Sequence, residues 1–176
     1  MGSSLYPPRP STPTVEQIDA NFEACLSAQE LARTQGKRPF VAILVGPNNA
    51  SVLLTHFSIS HVEHAEASLA RLAAIHFTPA YLWVCTLYST WEPCATCAAT
   101  CYWANIGRVV YAASEARLLE LTGEGNEENM TLSLPCRDIF AKGQKNVQVW
   151  GLIARWEERV VAESDKYWKP IREGKA

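Results

Sequence analysis

Pro93-Cys94-Ala95-Thr96-Cys97, read together with His64-Ala65-Glu66 upstream of it, decides how this chain folds and what chemistry it can hold. A zinc ion bound by one imidazole and two thiolates keeps a fourth tetrahedral position open for water. The carboxylate two residues after the histidine is then placed to move that water's protons. His64, Cys94 and Cys97 are therefore the expected metal ligands, and Glu66 the expected catalytic acid–base.

Each half alone says less. An isolated C-x-x-C also reads as a redox dithiol or part of a structural zinc site, and an isolated H-x-E recurs by chance. The joint occurrence includes the proline, and each half stands where a helix should begin. Proline costs nothing at the first helical position, so Cys94 and Cys97 are expected on the first turn of a helix reaching about Asn105. A helix N-terminus lowers a thiol's pKa, which suits cysteines that must bind as thiolates. His61-Val62-Glu63 is a second H-x-E, but only His64 adjoins helical periodicity; His61 reads as a solvent-facing loop residue.

The rest of the chain builds an α/β domain around these motifs. Thr14 and Gln17 form a capping-box pattern, after which Ile18, Phe22, Cys25, Leu26 and Ala32 recur at helical spacing until Gly36. Pro39 to Val45 and Ser51 to Thr55 are β-rich runs flanking the turn Gly46-Pro47-Asn48-Asn49. A helix from His64 should close at Thr78-Pro79, followed by a strand from Tyr81 to Leu87. Strands at Arg108–Ala112 and Asn146–Trp150 enclose helical stretches at Glu115–Leu121 and Pro135–Ala141, with the polar loop 123–129 between them. So long a connection suits a parallel crossover. Residues 1–13 read as an extended arm, residues 14–176 as one domain, with a C-terminal helical extension from about Leu152.

With 176 residues, 48% of them hydrophobic, the chain can bury one sizeable core. Its formal net charge is -2 and it has no Lys/Arg run, which disfavours a polynucleotide partner. Its six cysteines form no secreted-type framework, the first residues lack a signal pattern, and no apolar stretch is long enough to span a membrane. A cytoplasmic protein is expected. Cys25, Cys85, Cys101 and Cys136 read as buried small apolar residues.

H-x-E followed by P-C-x-x-C marks the zinc-dependent nucleobase deaminases. The text Thr86-Leu87-Tyr88-Ser89-Thr90-Trp91-Glu92-Pro93-Cys94-Ala95-Thr96-Cys97, then Tyr102-Trp103-Ala104, then Ile106-Gly107-Arg108-Val109-Val110-Tyr111, resembles the cytidine deaminase-like superfamily. Within it, the chain looks like the branch of guanine deaminases and tRNA adenosine deaminases. That resemblance implies a three-layer α/β/α fold, a five-stranded mixed sheet with parallel final strands, a zinc cofactor and a homodimer. It implies hydrolytic deamination of a small-molecule nucleobase or nucleoside, an aminopurine such as guanine ahead of cytosine. A tRNA adenosine deaminase and a catalytically silent binding protein of the same fold are the alternatives.

Two departures stand out. Family members usually carry a base-holding asparagine after the second strand, and none occurs between Asn49 and His64, so His56, Ser58 or Ser60 would replace it. The loop there is also short. Trp91 reads as core packing or as a wall for a planar base, and Glu92 as a cap of the third helix. The C-terminal extension, with Trp156 and Tyr167-Trp168, is similar to the aromatic tail that closes the guanine deaminase pocket; packing on the sheet is the other reading. Candidate base contacts are thus His56, Ser58, Ala65, Trp91, Glu92, Trp156 and Trp168.

Overall fold

Helix α1 (Val15–Thr34) opens on the reciprocal cap expected of it. The Thr14 N–H donates to Gln17 Oε1 at 2.9 Å, and the Gln17 N–H to Thr14 Oγ1 at 3.3 Å. The chain then turns through Gly36, at φ +70, into the hairpin of β1 (Val41–Val45) and β2 (Val52–Phe57). The computed structural model describes residues 4–175; the first three residues of the expected arm lie outside this range. Residues 7–14 form neither helix nor strand.

Helix α2 (Ala65–His76) and the short α3 (Pro79–Trp83) lead into β3 (Thr86–Trp91), α4 (Ala95–Trp103) and β4 (Arg108–Ala113). Then follow α5 (Glu115–Thr122), α6 (Cys136–Ala141), β5 (Gln148–Trp150) and α7 (Ala154–Arg172). The sheet order is β2-β1-β3-β4-β5. β1 pairs antiparallel with β2 and β3, whereas β3–β4 and β4–β5 are parallel. This is the mixed five-stranded sheet with parallel final strands.

Both faces of the sheet are covered, which is why β1, β3 and β4 are buried at every position. Ala42, Leu44, Leu87 and Val109 pack on one face against Leu69 and Ala73 of α2, Ala98 of α4 and Phe140 of α6. Val41, Ile43, Tyr88 and Val110 pack on the other against Phe22 of α1, Leu118 of α5 and Val160 of α7. Side-chain alternation along each strand thus produces the three layers.

Two expected boundaries move. Thr78-Pro79 not only ends α2 but starts α3: Pro79 opens its first turn and Thr78 Oγ1 accepts from the Tyr81 N–H at 3.3 Å. The strand expected over Tyr81–Leu87 therefore lies at Thr86–Trp91. Helix α4 begins two residues later than Pro93 implies, with Cys94 in the cap position and Ala95 the first helical residue.

Gly107 lies where β4 begins, and a Cβ there would fall 1.8 Å from the Trp83 carbonyl oxygen. The obstacle is backbone, which has no rotamer to escape into. Gly107→Ala is expected to destabilise the fold by at least about 2 kcal/mol, read as a lowered urea midpoint at unchanged slope.

Candidate active site

The N-termini of α2 and α4 converge beyond the end of β3, and they bring together the three side chains expected to hold a metal. His64 occupies the cap position of α2, Cys94 that of α4, and Cys97 lies one turn on. The Nδ1 atom of His64 is 3.5 Å from Cys94 Sγ and 3.6 Å from Cys97 Sγ, and all three donor atoms lie within 4.8 Å of one another. In a tetrahedral zinc site, with Zn–S near 2.3 Å and Zn–N near 2.0–2.1 Å, sulfur and nitrogen would be about 3.5–3.6 Å apart. The donor set fits zinc in type and spacing.

The backbone of His61 completes the arrangement. Its carbonyl accepts from His64 Nε2–H at 2.9 Å, which leaves Nδ1 turned to the sulfurs. The His61 ring is exposed and sits against Arg38, so the chain uses the carbonyl of this residue and not its imidazole. The Cys97 thiol holds Cys94 down to about 4, with His64 assisting, and Cys97 itself is pushed well up by the same bond. The Cys94 sulfur raises His64 to about 9. These shifts describe a thiolate beside an imidazolium, from which a metal must displace protons to bind.

Glu66, on the first turn of α2, is 5% exposed and faces the same cavity. Ser89 Oγ donates to its Oε1 at 2.5 Å, while burial pushes its pKa above the usual carboxylate range. The cavity measures 280 Å³. Phe40, Trp91 and Leu118 supply apolar wall, and Ser58, Glu92, Thr96 and Glu115 supply polar wall. Arg38, His61 and the segment Glu127–Leu132 of the loop between α5 and α6 surround its mouth.

The structure sorts the other sequence candidates. Ser58, buried at 2%, lines the cavity, and its N–H donates to the Phe40 carbonyl at 3.0 Å. His56 does not line it; its Nδ1 is bonded to the Phe57 carbonyl. Ser60 instead ties its own loop, accepting from the Val62 and Glu63 N–H groups. Ala65 is fully buried in the core under the sheet. Trp91 serves both readings: its ring is in the core and on the cavity wall, and its Nε1–H donates to Ser164 Oγ at 3.1 Å.

Glu92 caps helices other than α4. Its Oε1 accepts from the Cys136 N–H at 3.0 Å and its Oε2 from the Glu115 N–H at 3.3 Å, so it holds the starts of α6 and α5. The reason is that the Glu92 N–H donates to the Ala113 carbonyl, continuing the β3–β4 ladder and aiming the side chain past α4. Trp156 and Trp168 are not on the cavity wall. Trp156 stacks on Phe22 and donates to Asp19, and Trp168 is fully buried, because the apolar face of α7 packs on the sheet. Arg38, Phe40, Thr96, Glu115, Leu118 and the loop 127–132 are lining residues that spacing did not signal.

Residues 15–113 match the family model for the cytidine and deoxycytidylate deaminase zinc-binding region. The chain belongs to this family. It is 29% identical over 144 residues to a probable cytosine deaminase of Schizosaccharomyces pombe, spanning 80% of this chain and 87% of that protein. Its fold is similar to that of a guanine deaminase from Nitrosomonas europaea, with a TM-score of 0.63 at 17% identity over 92% of this chain and 88% of that one. It is also similar in fold to a tRNA:A34 deaminase, with a TM-score of 0.55 at 23% identity over 77% of this chain and 98% of that one. No helix among the described residues is long and apolar enough to cross a membrane.

Removal of one donor by His64→Ala, Cys94→Ala or Cys97→Ala is expected to take bound zinc from about one equivalent per chain to below about a tenth. Mass spectrometry of the gel-filtered protein measures this. His61→Ala, which keeps the carbonyl, is expected to leave the zinc content unchanged.

Proposed function

We propose that the protein is a zinc-dependent hydrolytic deaminase of a free nucleobase or nucleoside, with an aminopurine such as guanine as the favoured substrate. The observation that carries this reading is the buried Glu66 carboxyl beside the three zinc-compatible donors His64, Cys94 and Cys97, at a cavity that Glu66, His64 and Cys94 line. Family membership supports hydrolytic deamination, and the fold likeness to a guanine deaminase supports the purine.

When bound, zinc supplies Lewis acidity that makes water a nucleophile near neutral pH. Glu66 takes a proton from the attacking water, delivers it to the ring nitrogen and then assists departure of the exocyclic amine as ammonia. Its buried, Ser89-tethered carboxyl suits this work, because desolvation brings its proton affinity closer to neutrality. Phe40, Trp91 and Leu118 offer apolar wall to a flat ring, and of His56, Ser58 and Ser60, the residues that would replace the family's loop asparagine, Ser58 lines the cavity.

A cavity of 280 Å³ lies just below the roughly 300 Å³ at which small-molecule sites begin, and suits one base or nucleoside. The exposed Glu127 and Glu128 at its mouth, with a net charge of -2, weigh against a tRNA phosphate backbone. Cytosine is the second reading, favoured by the Schizosaccharomyces pombe relative over most of both chains. The same reading includes a homodimer, which light scattering checks.

Ammonia release from guanine, adenine, cytosine and their nucleosides, alongside an inosine assay on tRNA, tests the proposal. Turnover of a base or nucleoside is expected, and turnover of tRNA alone would overturn it. Glu66→Gln is expected to retain zinc and the melting temperature while losing about 10³-fold or more in kcat. Full activity in that variant would remove Glu66 from its role.

A further inference from the structure

Helix α7 lines no part of the cavity, yet it backs two of the aromatic side chains that do. Ser164 Oγ accepts from the Trp91 Nε1–H at 3.1 Å, and one turn further on Trp168 packs against Phe40, their ring centroids 6.0 Å apart. The serine is itself held. Gln29 of α1 donates through Nε2 to Ser164 Oγ at 2.9 Å and to the Val160 carbonyl at 3.2 Å, which pins the hydroxyl between two helices. Ser164 and Gln29 are fully buried and Trp91 is 1% exposed, so solvent does not compete for these bonds.

Burial alone does not account for the Trp91–Ser164 bond. At Trp168 the same core tolerates an indole N–H with no partner among the described residues. What sets Trp91 apart is that its ring borders the cavity, where core packing acts on it from one side only. The χ2 torsion of tryptophan is broad and roughly two-fold, so one-sided packing leaves a choice of orientations. A bond from its single N–H to a fixed oxygen selects one of them. Ser164 Oγ has two lone pairs and gives one to each donor, so the Gln29 bond also sets the direction from which the indole is held.

We infer that Ser164 is a positioning residue for the substrate: through Trp91 it orients the aromatic wall against which the base lies, from a helix that does not line the cavity. The inference rests on the reading of this cavity as a nucleobase deaminase site. Ser164 acts on the flat face offered to the ring and not on the groups that move protons, so its loss weakens binding and spares the chemical step.

The test uses the zinc-loaded full chain and the base that it deaminates best. Ser164→Ala is expected to keep the zinc content and to raise KM about 3–10-fold, with kcat within about 2-fold of wild type. Trp91→Phe keeps a ring and removes the N–H. In that background Ser164→Ala is expected to change KM by less than about 1.5-fold, the coupling required if the serine acts through the indole. Wild-type KM in Ser164→Ala, the same rise in both backgrounds, or a fall in kcat at unchanged KM would each overturn the inference while leaving the deaminase reading intact. A wild-type protein that deaminates no base overturns both. If Ser164→Ala loses zinc or melts below the assay temperature, Ser164→Cys, close in shape and a weaker acceptor, replaces it in the same cycle: a KM rise confined to the Trp91 background supports the inference, and any other pattern overturns it.

Discussion

The structure depends on two helix N-termini meeting beyond the carboxyl end of a buried parallel strand. β3 lies between antiparallel β1 and parallel β4, and the chain leaving it passes through Glu92 and Pro93 directly into the cap of α4. The start of α2 arrives at the same place from the hairpin side. Open α/β sheets place ligands outside the carboxyl ends of their parallel strands, and here the ends of β3 and β4 supply Trp91, Glu92 and Glu115 to one cavity. Moving either helix start by a turn, about 5.4 Å, would pull His64 out of reach of the sulfurs.

Charge explains why these helices are used. Each N-terminus carries roughly half a positive charge, which favours thiolate at Cys94 and carboxylate nearby. The cavity nonetheless gathers Glu66, Glu92 and Glu115 together with Cys94, whose sulfur lies within 4.8 Å of the Cys97 sulfur. So many acids cannot all ionise in a buried space without a cation, and protons fill the deficit: Cys97 keeps its own, His64 takes one, and Glu115 remains neutral near pH 7. A divalent cation bound by His64, Cys94 and Cys97 relieves the same imbalance by displacing protons from its ligands. The surplus of acid groups is therefore the electrostatic counterpart of the metal.

How far the fold could be read depended on whether a residue's type revealed its environment. Apolar periodicity exposed α1, α2 and the hairpin, because those elements bury what looks buriable. β3 was misplaced because Thr86, Ser89 and Thr90 are fully buried yet polar by type; their hydroxyls reach Arg108, Glu66 and the Val41 backbone, which one strand's sequence does not disclose. That His64, Glu66, Cys94 and Cys97 meet was legible because metal chemistry demands those types at short spacings. Glu115, Phe40 and the loop 127–132 were not, since separate segments bring them to the cavity. Trp156 and Trp168 were misleading in the opposite sense: an aromatic in a tail can wall a ligand or anchor a helix, and only packing distinguishes the two.

The loop between α5 and α6 is the part of the cavity wall that yields most easily. It leaves α5 through Gly123 and Gly125, both at positive φ, conformations that cost glycine little. It meets the opposite rim through Arg38 and Glu128 at 3.0 Å, a pair whose carboxylate is about half exposed and whose worth is about 0–1 kcal/mol. Met130 and Leu132 are largely exposed, so little apolar burial holds this segment down. The remaining walls are β-strand and helix ends tied into both layers of the core. The donors His64 and Cys94 and the carboxyl of Glu66 stand on those helix starts and not on the loop.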